Sequence, residues 1–112
     1  MKRLKYGNVK CEWHGEKFDS KRELERHLVL LDMQKRHEIF DLERQVTYKL
    51  IVNSQLIGKV RPDWRYQEWR RTMGNHMHYT VCEDAKGVQT PDHKTRWKLA
   101  RALYPEIDWR LS

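Results

Sequence analysis

Val81-Cys82-Glu83-Asp84-Ala85-Lys86-Gly87 is the stretch on which the reading of this chain turns. It closes a strand expected over Met77 to Lys86, with Gly87 as the stop. Side chains alternate along a strand, so Cys82, Asp84 and Lys86 share one face while Glu83 and Ala85 point the other way. An aspartate and a lysine two residues apart on one face suit phosphate chemistry. The carboxylate holds a divalent cation, and the ammonium orients or helps deprotonate a water and offsets phosphate charge. The plainer alternative is an ion-pair ladder on a solvated face.

Upstream, Val60-Arg61-Pro62-Asp63-Trp64-Arg65-Tyr66 offers Asp63 as the best second ligand, on the strand expected to pair with the one bearing Asp84. That strand is read from Val60 to Glu68, with Pro62 marking an edge or a bulge. An earlier strand is read from Gln45 to Asn53, where Val46, Tyr48, Leu50 and Val52 alternate with Thr47, Lys49 and Ile51. Asn53 to Gly58 reads as the turn after it, and residues 70–77, with Gly74-Asn75, as a hairpin loop. Ser20 and Glu23 stand in the capping-box relation before a Leu24, Leu28, Leu31 stripe, so a helix is expected from there to about His37. Glu23 is a third candidate ligand if that helix packs on the sheet; the alternative is that it only closes the capping box.

Downstream, Thr90-Pro91-Asp92 signals a helix start, and Pro105 its end. Trp97, Ala100, Leu103 and Tyr104 lie on one side of this helix, with Lys94, Lys98 and Arg101 on the other. Ile107, Trp109 and Leu111 alternate as a short final strand. The order helix, three strands, helix, strand predicts an α/β domain: a small mixed sheet of three strands plus a C-terminal one, flanked by two helices, with one face covered.

A chain of 112 residues makes one domain, 1–112, with residues 1–10 as a basic arm carrying Lys2, Arg3, Lys5 and Lys10. Five tryptophans and five tyrosines argue against disorder, and the net charge of +7 favours a polyanionic partner, nucleic acid before membrane. The longest apolar run, Leu28 to Leu31, cannot span a bilayer, and no signal peptide follows Met1, so a cytoplasmic protein is expected. Cys11 and Cys82 form no CxxC pair. His76-Met77-His78 puts two imidazoles on one strand face without further zinc ligands. No glycine-rich phosphate loop, GxSxG elbow or HExxH occurs, so nucleotide-hydrolase, esterase and metalloprotease readings lack support, and no organic cofactor is implied. Residues 93–105 carry four basic side chains and no acid, and Arg61, Arg65, Arg70 and Arg71 interleave with Trp64, Tyr66 and Trp69. Phosphate contact by Arg61, Arg65, Arg70, Lys94, Lys98 and Arg101 explains both clusters, against the bland reading of solvated faces. Trp64 and Trp97 are expected in the core, and Trp69 at the DNA.

Several stretches together carry a family resemblance. They are Lys5-Tyr6-Gly7-Asn8, Phe18-Asp19-Ser20-Lys21 with Glu23, Pro62-Asp63-Trp64-Arg65-Tyr66, Glu83-Asp84-Ala85-Lys86-Gly87, Lys94 to Lys98, and Tyr104-Pro105. In this order, from Lys5 to Leu111, the chain resembles a family of small phage-encoded proteins of formerly unknown function, itself similar to the PD-(D/E)XK nucleases and especially to small phage resolvase-like endonucleases. The resemblance implies a minimal restriction-endonuclease-like fold, Asp63 and Asp84 as metal ligands, Lys86 as the catalytic lysine, and Glu23 as the helix-borne acid beside the metal. Asp84 at the first position of the last motif is a permitted variant, while Trp69–His78 is an insertion between the metal strands. It further implies a magnesium- or manganese-dependent DNA endonuclease selective for junctions or flaps, acting as a homodimer in the bacterial host cytoplasm. The competing class is a non-catalytic nucleic-acid-binding accessory or phage regulator, which leaves Asp63 and Asp84 without a role. A third reading docks the basic surface on an acidic host protein.

Overall fold

Hydroxyl caps open both helices where their sequence signals stand. In the computed structural model, which describes residues 10–85 and 89–112, Ser20 Oγ accepts from the Glu23 N–H at 3.1 Å and begins α1, Lys21–Lys35. Thr90 Oγ1 accepts from the His93 N–H at 3.1 Å, and Pro91 fills the first position of α2, Pro91–Leu103. The basic arm lies outside the described residues except for Lys10, as do Lys86 and Gly87.

The strands are β1 (Cys11–Trp13), β2 (Glu16–Phe18), β3 (Ile39–Arg44), β4 (Tyr48–Val52), β5 (Gln55–Val60), β6 (Trp64–Thr72), β7 (Asn75–Asp84) and β8 (Asp108–Leu111). The main sheet runs β3-β6-β7-β8. Its first two pairings are antiparallel and β7–β8 is parallel, a step that needs a crossover, which α2 supplies. The protein is thus a mixed α/β domain with a four-stranded mixed sheet and two helices. β1–β2 and β4–β5 form two further small sheets.

Several boundaries differ from the sequence reading, each for a local reason. The single strand expected over Val60 to Glu68 is two elements: Val60 ends β5, and β6 begins at Trp64. Pro62 between them has no N–H to give to a ladder. Asn53 to Gly58 is no loop, because Asn53 and Ser54 alone make the turn, both at positive φ (50° and 64°), and β5 pairs back at once. The strand expected over Gln45 to Asn53 therefore starts at Tyr48 and leaves the main sheet for this hairpin. Its expected place goes to β3, whose alternation is broken at Asp41 (φ 53°), where the register shifts. The loop over 70–77 shrinks to Met73-Gly74, again both at positive φ, so β6 and β7 run on as a long hairpin. β7 accordingly starts at Asn75, before Met77, and β8 starts at Asp108, after Ile107.

Strand alternation sorts the core. Trp64, Tyr66 and Val81 face α1 and pack with Leu30 and Ile39. On the other face Leu50, Val60, Trp97 and Ala100 gather, with Tyr48 and Trp109 against them. Both faces are covered where one was expected, and Trp64 and Trp97 are core residues as expected. A buried polar knot ties α1 to β7. Arg26 binds both oxygens of Glu83 at 2.6 and 3.0 Å, and the Tyr66 hydroxyl donates to Glu83 Oε1 at 2.6 Å. A carboxylate this buried needs such partners to stay ionised; they outweigh burial, holding Glu83 below the usual carboxylate range.

Candidate active site

Asp63 immediately precedes β6, and Asp84 ends β7. Because Trp64 pairs with Glu83, the two aspartates stand side by side at the base of the hairpin. Backbone N–H groups clasp the pair: the Asp63 N–H donates to Asp84 Oδ1 at 2.9 Å, and the N–H of Ala85, the residue after Asp84, donates to Asp63 Oδ2 at 2.9 Å. Asp84 thus lies on the opposite sheet face from Glu83, as the alternation required.

Burial and then the neighbouring Asp84 charge push the Asp63 carboxyl up to about 7, against the lowering effect of the Ala85 N–H. Burial likewise raises Asp84, with the Glu23 charge acting in the same sense. Glu23 is almost fully buried and is raised by burial and then by Asp63. Its carboxylate does not complete a capping box on Ser20. Oε2 accepts instead from the Asp19 N–H at 3.2 Å, and Oε1 from Arg44 at 3.0 Å. Three acids raised first by burial therefore lie near the junction of α1, β6 and β7, in a protein of net charge +7.

His93, which carries no motif, joins them from α2. Its Nε2 lies 3.0 Å from Asp84 Oδ2, and its ring stacks on Trp97 at 5.8 Å. Its Nδ1 is buried without a hydrogen-bond partner among the described residues, and burial followed by Arg96 lowers its pKa. The only trace of this role in the sequence is its position three residues after the cap of a helix that follows Asp84.

Asp63 and Asp84 meet, but Glu23 is turned toward Arg44 and Asp19, and among the described residues no three His, Cys, Asp or Glu side chains gather closely enough to hold a metal ion. The donor chemistry still fits a hard divalent cation: adjacent carboxylates, both raised first by burial and Asp63 further by the Asp84 charge, are what such an ion stabilises. Lys86, the expected catalytic lysine, lies outside the described residues.

The expected phosphate-binding residues divide into two groups. Arg61, Lys94, Lys98 and Arg101 are exposed, and among the described residues none has an acid partner. In the sequence Arg61 stands two residues before Asp63, and Lys94 one after His93. Arg96 departs from the pattern, pairing with Asp92 at 3.0 Å within the helix. Arg65 is spent on Glu43, at 3.0 and 3.1 Å, and on the Tyr48 hydroxyl. Arg70 lies on the opposite sheet face, bound to Glu68 at 2.9 Å and Asp108 at 2.7 Å. Trp69 is 45% exposed, toward the far end of the hairpin from Asp63. No helix among the described residues is long and apolar enough to cross a membrane.

A family model described as "Protein of unknown function (DUF1064)" matches residues 3–112 of the chain. No curated protein and no solved structure matches it.

Proposed function

We propose that this chain, which belongs to the DUF1064 family, is a divalent-metal-dependent DNA endonuclease with a minimal restriction-endonuclease-like fold. The observation that carries the reading is the clasp of Asp63 and Asp84, two largely desolvated carboxyls held together through backbone N–H groups, with the Asp84 charge pushing Asp63 up. Repulsion of this kind is destabilising unless something relieves it, and a cation between the carboxylates does so. Asp63 and Asp84 would hold magnesium or manganese, with Glu23 adding negative charge from α1. When bound, the ion supplies Lewis acidity at a phosphoryl oxygen and a more acidic water. His93 fixes Asp84 Oδ2 from the α2 side, and the Asp63 N–H fixes Oδ1. Lys86, two residues beyond Asp84, is the residue proposed to orient or deprotonate the attacking water. Arg61, Lys94, Lys98 and Arg101 offset the charge of the bound strand. Selectivity for branched DNA and a homodimer that cuts both strands belong to the same proposal.

A second reading, the non-catalytic DNA-binding accessory, draws on one observation: each aspartate already has a backbone N–H partner, Asp84 from Asp63 and Asp63 from Ala85. The test is cleavage of supercoiled plasmid and a four-way junction with magnesium, manganese or chelator, for wild type, Asp84→Ala and Lys86→Ala. The expected result is metal-dependent cutting, reduced roughly a hundredfold or more in both variants. DNA binding without cutting in any condition would move the assignment to the accessory.

A further inference from the structure

The hairpin of β6 and β7 outruns its neighbours. The β3 ladder with β6 ends at Glu68, with one further bond from the Trp69 N–H to the Glu38 carbonyl at 3.2 Å, and β8 pairs with β7 only from Val81, so residues 70–80 extend past the partner strand on each side. On the sheet face shared with Asp63 and Asp84, the hairpin carries Trp69 opposite His78 and Arg71 opposite His76. Phe40 of β3 completes a ring cluster. Its centroid lies 5.1 Å from Trp69 and 5.3 Å from His78, and Trp69 lies 5.4 Å from His78. No helix covers these rings: Trp69 and His78 are exposed and Phe40 half-exposed. From Trp69 to Cys82 the chain holds two arginines, two histidines and no acid, and Arg71 is exposed without an acid partner among the described residues.

We infer that the Phe40–Trp69–His78 cluster is a stacking platform for unpaired nucleobases, a single-strand subsite separate from the acid pair. Rings held on a sheet with a face left open suit base stacking, which needs no sequence-specific donor or acceptor. The charge distribution fits bases better than backbone along the sheet floor. Asp41 and Glu106, with Glu43 already bound to Arg65, line the groove toward the Arg65 end of β6 and leave it net acidic, whereas the cation Arg71 lies beyond the rings. A second copy of the chain is the weaker occupant, since three partly covered rings fall well short of the roughly 800 Å² per partner of a stable interface. The inference rests on the nucleic-acid reading above, and gives that enzyme a substrate with a single-stranded part.

The test is fluorescence anisotropy in chelator, with labelled oligothymidine, the same strand carrying abasic sites, and a duplex. Trp69→Ala should weaken oligothymidine binding about tenfold or more, and leave duplex binding within about twofold. Wild type should bind the abasic strand as weakly as Trp69→Ala binds the intact one, while Trp69→Phe retains most of the affinity. Arg71→Ala should weaken the intact and abasic strands alike. Equal loss on strand and duplex, or a wild type indifferent to abasic sites, overturns the inference. So does a Trp69→Ala protein that binds strands normally but loses a wild-type dimer in sedimentation, which gives the rings to a second copy. Metal is absent throughout, so failure of plasmid cleavage and failure of stacking are read separately.

Discussion

Replacing Asp63 by asparagine separates the cost of its charge from its use. A carboxyl raised to about 7 in the folded protein, from an ordinary value near 4, binds its proton more tightly folded than unfolded. Stability from that proton is therefore present at low pH and declines as pH climbs from about 4 through about 7. In chelator at pH 8, Asp63→Asn should melt a few degrees above wild type, roughly what 1 kcal/mol gives in a domain of this size. Manganese should raise the melting point of wild type alone, so a variant that gains as much on adding metal would remove Asp63 from the cation site. Glu68 carries the opposite sign. Arg110 hydrogen bonds hold its carboxyl at about 2 despite burial, so its contribution is complete above about 4.5 and lost as pH falls through about 2. Glu68→Gln should cost about 1–3 kcal/mol at neutral pH in urea titrations, with the gap to wild type closing below pH 4. Of the residues around the acid pair, Asp63 and Asp84 could be expected to meet, because the strands bearing them were read as partners, while their role as metal ligands came from the family resemblance and not from spacing. His93 could not: one of six histidines, it gains its role only from the angle at which α2 returns to the sheet.

The β4–β5 hairpin turns on Asn53 and Ser54, each at positive φ. Asparagine tolerates that conformation; serine at φ 64° does not favour it, and glycine does. Ser54→Gly should therefore stabilise the protein by up to about 1 kcal/mol in thermal melts, without touching the acid pair. A loss of stability would mean that the turn is held by contacts other than its own backbone. The same positive-φ pairs explain which elements the sequence conceals. Asn53-Ser54 and Met73-Gly74 each reverse the chain in two residues, whereas their polar and glycine-rich surroundings read as longer loops. β3 is hidden differently: it follows α1 after only a short link, and Asp41 interrupts its alternation. The helices were legible because a hydroxyl cap and an early acid act locally, and the Trp97–Ala100 side of α2 is buried as expected. The Leu24, Leu28, Leu31 stripe of α1 is not the core face, since α1 turns Glu23, His27 and Leu30 inward and leaves Leu28 exposed.

Across the whole molecule, charge is divided between cations bound internally and cations left free. Arg26, Arg44, Arg65, Arg70 and Arg110 are bound to carboxylates, while Arg61, Lys94, Lys98 and Arg101 are exposed and have no acid partner among the described residues. Composition shows the excess but not this division, which is set by the strand register that brings Arg110 and Arg70 to Glu68. Duplex binding should therefore weaken with salt, and Lys98→Ala should flatten the log–log slope by about one while Arg70→Ala leaves it unchanged. An unaltered slope for Lys98→Ala would take the α2 face out of the DNA contact. The clasp of Asp63 and Asp84 has a further consequence in the order of folding. These residues are 21 apart and meet as soon as the β6–β7 hairpin zips, whereas Arg26 reaches Glu83 across 57 residues of chain. If the hairpin is the nucleus, the acids repel each other already at the barrier. In stopped-flow refolding with chelator, Asp63→Asn should then fold faster than wild type with little change in unfolding rate, while Arg26→Met acts mainly by hastening unfolding. The carboxyl pair proposed for phosphate chemistry would thus also be a brake on the chain's own folding, released by whatever cation reaches the nascent hairpin.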